Sequence, residues 1–143
     1  MSTSLFATAD DCEAAFYDAI ERADLEAMMA VWADDEEVTC IHPAGQRLTG
    51  LAAVRDSWRH VFESGSRLHV RISHTLRWHG ALMAVHNVVE TLYLGDDPTP
   101  HGPMHATNVF VRGANGWRLI AHHSSAATDV PESDSVTTQH TLH

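Results

Sequence analysis

The stretch Asn108-Val-Phe-Val-Arg-Gly-Ala-Asn-Gly-Trp-Arg-Leu-Ile-Ala-His-His-Ser-Ser125 decides the fold. Strand-forming residues flank Gly113-Ala-Asn-Gly116, which reads as a β-hairpin closed by a glycine-bearing turn. Closing the turn there sets Phe110 opposite Leu119, Asn108 opposite Ala121 and Ala106 opposite His123. That row is apolar except for Asn108 and His123 and is expected to face inward. The other row joins His105, Thr107, Val109 and Val111 to Ser124, His122, Ile120 and Arg118. It is too apolar for a fully wet face, and burial against a second copy of the chain would explain it.

A second hairpin is expected just upstream. Leu68, Val70, Ile72, His74, Leu76 and Trp78 alternate with Arg67, His69, Arg71, Ser73, Thr75 and Arg77, a period of two that defines an inner face. A two-residue turn at His79-Gly80 places Leu76 opposite Met83, His74 opposite Val85, Ile72 opposite Asn87 and Val70 opposite Val89. His74 and Asn87 are then the polar members of this inner row, and Glu90 faces outward. Strands are expected near 67–78, 81–94, 103–112 and 117–127.

Before residue 65 the period is helical. Cys12, Phe16, Ala19, Ile20 and Ala23 share one face of a helix from about Ala9 to Ala23, and Thr8 with Asp11 resembles a capping box. Asp24 can cap a second helix with Leu25, Met28, Met29 and Trp32 on its stripe. The acidic run 34–37 reads as a solvated turn, and Val38-Thr-Cys-Ile-His42 as a short strand stopped by Pro43. Thr49 can cap a third helix carrying Leu51, Val54, Trp58, Val61 and Phe62, with Gly65 as its stop. The pattern is α+β: a curved sheet wrapped against helices, with room between them for a ligand. One domain is expected over 8–128, followed by a flexible polar tail over 129–143.

Charge narrows the partners. Of 143 residues, 9 are basic and 19 acidic, giving a formal net charge of -10 that repels phosphate backbones and anionic membranes. Neither nucleic acid nor membrane is expected as a partner. The N-terminus has no basic run followed by an apolar core, so the cytoplasm is the default location. Cys12 and Cys40 are not in C-x-x-C spacing, and reduced thiols are favoured over a disulfide. Isolated glycines form no phosphate loop, and no cofactor is expected.

The segments Val38-Thr-Cys-Ile-His-Pro43, Leu48-Thr-Gly-Leu-Ala-Ala-Val-Arg-Asp-Ser-Trp58, Ala106-Thr-Asn-Val-Phe110 and Trp117-to-Ser125 resemble the nuclear transport factor 2-like superfamily, and its polyketide-cyclase-like (SnoaL-like) branch more closely. The layout also resembles the association domain of calcium/calmodulin-dependent kinases, where a Thr-Cys dipeptide opens the early strand. The resemblance covers roughly residues 8–128. It implies a cone-shaped, strongly curved antiparallel sheet packed against three N-terminal helices, commonly dimeric through the outer side of the sheet. Such members include isomerases, dehydratases, cyclases and proteins that only bind or assemble, so the fold cannot choose the activity.

Candidate chemistry follows from the inner rows. His42 can exchange a proton near the pocket mouth or cap a neighbouring loop. His74 can line a pocket or be a satisfied core histidine. Asn87 and Asn108 are amides that need partners, and Asn108 could polarise a ligand carbonyl. Trp32 and Phe110 could stack on a planar ligand. The expected ligand site is Trp32, His42, His74, Asn87, Asn108, Phe110 and His123, with His42, His74 and Asn108 as its catalytic candidates. His122 and His123 point to opposite faces of a regular strand, so they form no common metal site. The leading expectation is a homodimer that binds a small apolar or aromatic molecule bearing polar groups. A cofactor-independent lyase or isomerase using histidine acid–base chemistry is the alternative, and an oligomeric assembly module the third.

Overall fold

A computed structural model describes residues 6–65 and 67–128. Three helices, α1 (Ala9–Arg22), α2 (Leu25–Val31) and α3 (Leu51–Glu63), pack on a sheet of six strands. The strands are β1 (Thr39–Ile41), β2 (Arg47–Thr49), β3 (Leu68–His79), β4 (Met83–Leu94), β5 (His101–Gly113) and β6 (Gly116–Ala126). Their order is β2-β1-β6-β5-β4-β3. All neighbours are antiparallel except β1 and β6, which run parallel, so the sheet is mixed. The expected tail over 129–143 lies outside the described residues.

The helices start where side chains can satisfy their first N–H groups. Thr8 Oγ1 accepts from the Asp11 N–H at 3.0 Å, and Asp24 Oδ1 accepts from the Ala27 N–H at 3.0 Å. The cap expected from Thr49 is not made: Thr49 ends β2, and Gly50 opens α3 without a side-chain bond. Past the end of α3, Gly65 adopts φ +85°, the left-handed conformation expected of a helix stop. Phe16 is the hub of the core, with the rings of Tyr17, Trp32, Trp58 and His122 at 4.9–6.5 Å.

The strands occupy the expected spans, but two bulges change which residues face the helices. In the β5–β6 hairpin the expected register holds from Gly113 to Phe110, with Phe110 opposite Leu119. Ile120 is then an extra residue on β6, and Val109 pairs with Ala121 and Asn108 with His122. Every later side chain on β6 switches face. His122 is therefore buried against α1, and His123 is exposed on the outer face opposite Thr107, the reverse of the expected placement.

The β3–β4 hairpin differs in two ways. Its turn is wider than two residues: His79 pairs with Ala84, and the Gly80 N–H donates to the Met83 carbonyl at 2.7 Å. A bulge at His74-Thr75, where His74 takes φ +50°, separates the pairs Ser73–Val89 and Leu76–Asn87. Leu68, Val70 and Ile72 pack on the core as expected. Beyond the bulge, Leu76 and Trp78 turn outward and are 70% and 63% exposed. Asn87 also lies on the outer face, where Nδ2 donates to Thr107 Oγ1 at 3.1 Å. Glu90 sits opposite Ile72 on the inner face and is buried, contrary to its expected outward parity.

Candidate functional site

Among the described residues, six polar or charged side chains are buried: Glu13, His86, Glu90, Asn108, His122 and Ser124. All belong to α1 or to the inner face of the sheet, and Tyr17 of α1 joins them. Groups removed from water in this way need partners, and apart from His86, whose Nε2 meets the exposed His79, the partners here are one another. Tyr17 donates to Glu90 Oε2 at 2.7 Å, and Ser124 donates to Glu90 Oε1 at 2.8 Å. Burial pushes the Glu90 carboxyl above its ordinary range, and these two hydrogen bonds oppose the shift. Burial, then the adjacent Glu90, hold the Tyr17 phenol well above its ordinary value.

Asn108 is the junction. Its Nδ2 donates to Glu13 Oε2 at 2.9 Å and to the Tyr17 oxygen at 3.2 Å. Turning the amide over would set two oxygens face to face, so the Glu13 carboxylate fixes its orientation. Asn108 Oδ1 then faces His122 Nδ1 at 2.6 Å, and that nitrogen must carry the proton. The Nε2 of His122 is left with a lone pair. Burial lowers the His122 pKa to about 3, with His42 and His123 adding to the shift, so the ring stays neutral. A carboxylate, an amide and an imidazole thus form a relay that sets one tautomer.

His42 lies just beyond this relay. Cys40 pairs with His122 across β1 and β6, and the His42 ring meets Trp58 at 4.7 Å. Ser57 uses its only proton on the Val54 carbonyl at 2.8 Å, so His42 Nε2 donates to Ser57 Oγ at 3.1 Å. Ser57 is therefore not activated as a nucleophile. Burial lowers the His42 pKa. An open groove of about 460 Å³ begins at His42 and Ser57 and runs along α3. The Trp58 ring centre lies 4.7 Å from that of His42 and 6.4 Å from that of His122. The buried indole N–H of Trp58 has no hydrogen-bond partner. The neighbouring Cys40 sulfur is a weak acceptor, and its contact with Trp58 only partly opposes the burial that pushes the Cys40 thiol up to about 12.

A larger cleft, about 1050 Å³, lies elsewhere between α2, α3 and the β5–β6 turn, with Met29, Trp32, Leu51, Arg55, Val111 and Arg118 in its walls. Its volume exceeds that of the His42 groove, but the buried hydrogen-bonding array does not border it.

The expected site residues are therefore dispersed. Asn108, Phe110 and Trp32 are buried on the inner side, and His42 is at the groove. His74 is at the β3 bulge beside Ser73, whereas Asn87 and His123 face the other way. Glu13, Tyr17, Glu90, His122 and Ser124 were missed. For Glu13 and Tyr17 a signal existed: they stand four apart beside Cys12 and Phe16 on the buried stripe of α1.

A family model described as a SnoaL-like domain matches residues 10–129. The chain belongs to the SnoaL-like family. A structure from Thiobacillus denitrificans, provisionally assigned as a calcium/calmodulin-dependent protein kinase type II association domain, is 41% identical, with a TM-score of 0.78 over 87% of this chain and 99% of that one. A provisionally assigned dehydratase of the NTF2-like family from Streptomyces avermitilis is 27% identical, with a TM-score of 0.74 over 82% of this chain and 92% of that one. The F-box protein SKIP8 of Arabidopsis thaliana is 34% identical over 112 residues, 77% of this chain and 46% of that protein. This SnoaL-like chain thus spans about half the length of its curated relative. No helix among the described residues is long and apolar enough to cross a membrane.

Proposed function

We propose that this SnoaL-like chain binds a small, mostly apolar molecule, admitted past His42 and held against Trp58 and His122. The observation that carries the reading is the buried indole N–H of Trp58, placed beside His42 and His122; among the described residues it is one of three buried donors without a partner, the others being Trp32 Nε1 and His86 Nδ1. An acceptor on the ligand would satisfy it, and a donor on the ligand would meet the lone pair of His122 Nε2. A planar phenol or enol offers both, and the rings of Phe16, Trp58 and Phe62 supply apolar walls. Binding is favoured over proton transfer by the His122 pKa of about 3, because a general base works best near the ambient pH. Admission requires the His42 ring to swing aside.

The proposal includes a homodimer through the outer sheet face. Leu76, Trp78, Val85 and Val109 lie on that face, and large exposed side chains such as Leu76 and Trp78 mark interfaces. The similarity to a chain named as an association domain supports the same reading.

The test is a library of small phenols and enols screened by calorimetry against the native chain and Ser57→Phe, which fills the groove. The expected result is a binder whose affinity falls at least tenfold in Ser57→Phe while the circular dichroism is unchanged. Binders indifferent to this substitution would place the ligand elsewhere.

A further inference from the structure

We propose that Asp10, His79 and His86 form a binding site for a divalent cation of the zinc class, with Glu13 behind it as the outer carboxylate. The β3 bulge makes the site. By reversing the faces of β3 it turns His79 toward α1, beside His86 of β4 and Asp10 in the first turn of α1. His79 Nε2 lies 2.9 Å from His86 Nε2, and Asp10 Oδ1 lies 3.6 Å from the same nitrogen. The three donor atoms all fall within 4.8 Å of one another.

The ring geometry fits one ion between the histidines. Their centres are 5.1 Å apart and their planes 26° from parallel. Two imidazoles bound through Nε2 to zinc at about 2.0–2.1 Å hold their centres roughly 5 Å apart. Two lone pairs at 2.9 Å repel unless a proton or a cation lies between them. A cation would also use Asp10. Behind His86, Glu13 Oε1 lies 3.0 Å from Nδ1, a close contact whose angle is poor for a hydrogen bond. A carboxylate there favours the proton on Nδ1 and frees Nε2 for a metal.

Two imidazoles and one carboxylate suit zinc and its first-row neighbours better than magnesium or calcium. Asp10 and His79 are exposed, so the remaining coordination positions open to solvent. Arg77 competes for the site, because its Nε donates to Asp10 Oδ1 at 3.0 Å. Arg77 is itself exposed and can move away when a cation arrives. Glu13 also holds Asn108, so cation binding would reach the buried array through a single carboxylate.

The test is calorimetric titration of the chelator-treated full chain with zinc, repeated with cobalt for its visible absorption. The expected result is one equivalent per chain that binds more tightly than the scattered surface histidines. His79→Ala should weaken that equivalent at least tenfold, and Arg77→Gln should strengthen it by removing the competitor. His69→Ala, on the exposed His69–Glu21 pair, should leave it unchanged. His79 and Arg77 are exposed, so these variants should fold, with circular dichroism as the check. Absence of a tight equivalent, or equal affinity in His79→Ala, overturns the site. Unchanged or weaker binding in Arg77→Gln removes Asp10 as a ligand.

Discussion

His122 binds no proton in the folded chain until the pH falls to about 3, whereas the same imidazole in the unfolded chain titrates near 6.5. Its neutral form is the one the relay holds. The stability it contributes is fully present above pH 6.5 and is lost progressively as the pH falls toward 3. The loss would be on the order of 4 kcal/mol at the acid end. Glu90 acts in the opposite sense. Its folded pKa is raised, so ionisation above its ordinary value of 4.5 removes stability as the pH rises. His122→Gln should therefore flatten the acid-side decline measured by urea unfolding between pH 7 and pH 4. An unchanged slope would show that His122 is not buried neutral. Asn108 cannot serve as a clean ligand probe, because Asn108→Leu also strips partners from Glu13, Tyr17 and His122. Its inward direction was legible in the sequence from strand parity. That of His122 was not, because it depends on one extra residue, Ile120, two positions before it.

The elements themselves were legible because the apolar period changes from helical to alternating between α3 and β3. What was not legible is the register. Neither bulge carries a glycine to mark it: one centres on His74-Thr75 and the other on Ile120. Each shifts pairing by a single residue, and a single residue exchanges inner for outer faces along the rest of the strand. Leu76, Trp78, Glu90, His122 and His123 all landed on the other side for this reason; the wider turn after His79 moves the register without exchanging faces. The first bulge can be tested directly. His74 adopts φ +50°, which β-branched residues resist and asparagine tolerates. His74→Val should be less stable than His74→Asn by about 1–2 kcal/mol in urea unfolding. Equal stability would contradict the left-handed conformation at that position.

At the scale of the whole molecule, the two faces of the sheet divide the work. The inner face carries the sealed polar array and the aromatic core, and the outer face carries Trp78 and Leu76. Sedimentation velocity at micromolar concentration should give a dimer for the native chain and a 15.8 kDa monomer for Trp78→Asp. A native monomer would remove the proposed interface. The inner face is tested most directly by the imidazole nitrogens. Nitrogen-15 NMR of the native chain, recorded at neutral pH while a small planar phenol is added, reads the His122 tautomer and its surroundings together. The expected spectrum is a neutral ring protonated on Nδ1, whose Nε2 resonance and that of His42 move in step as the phenol saturates its site. A charged or Nε2-protonated His122, or binding that leaves both histidines unmoved, would contradict a ligand held at this array.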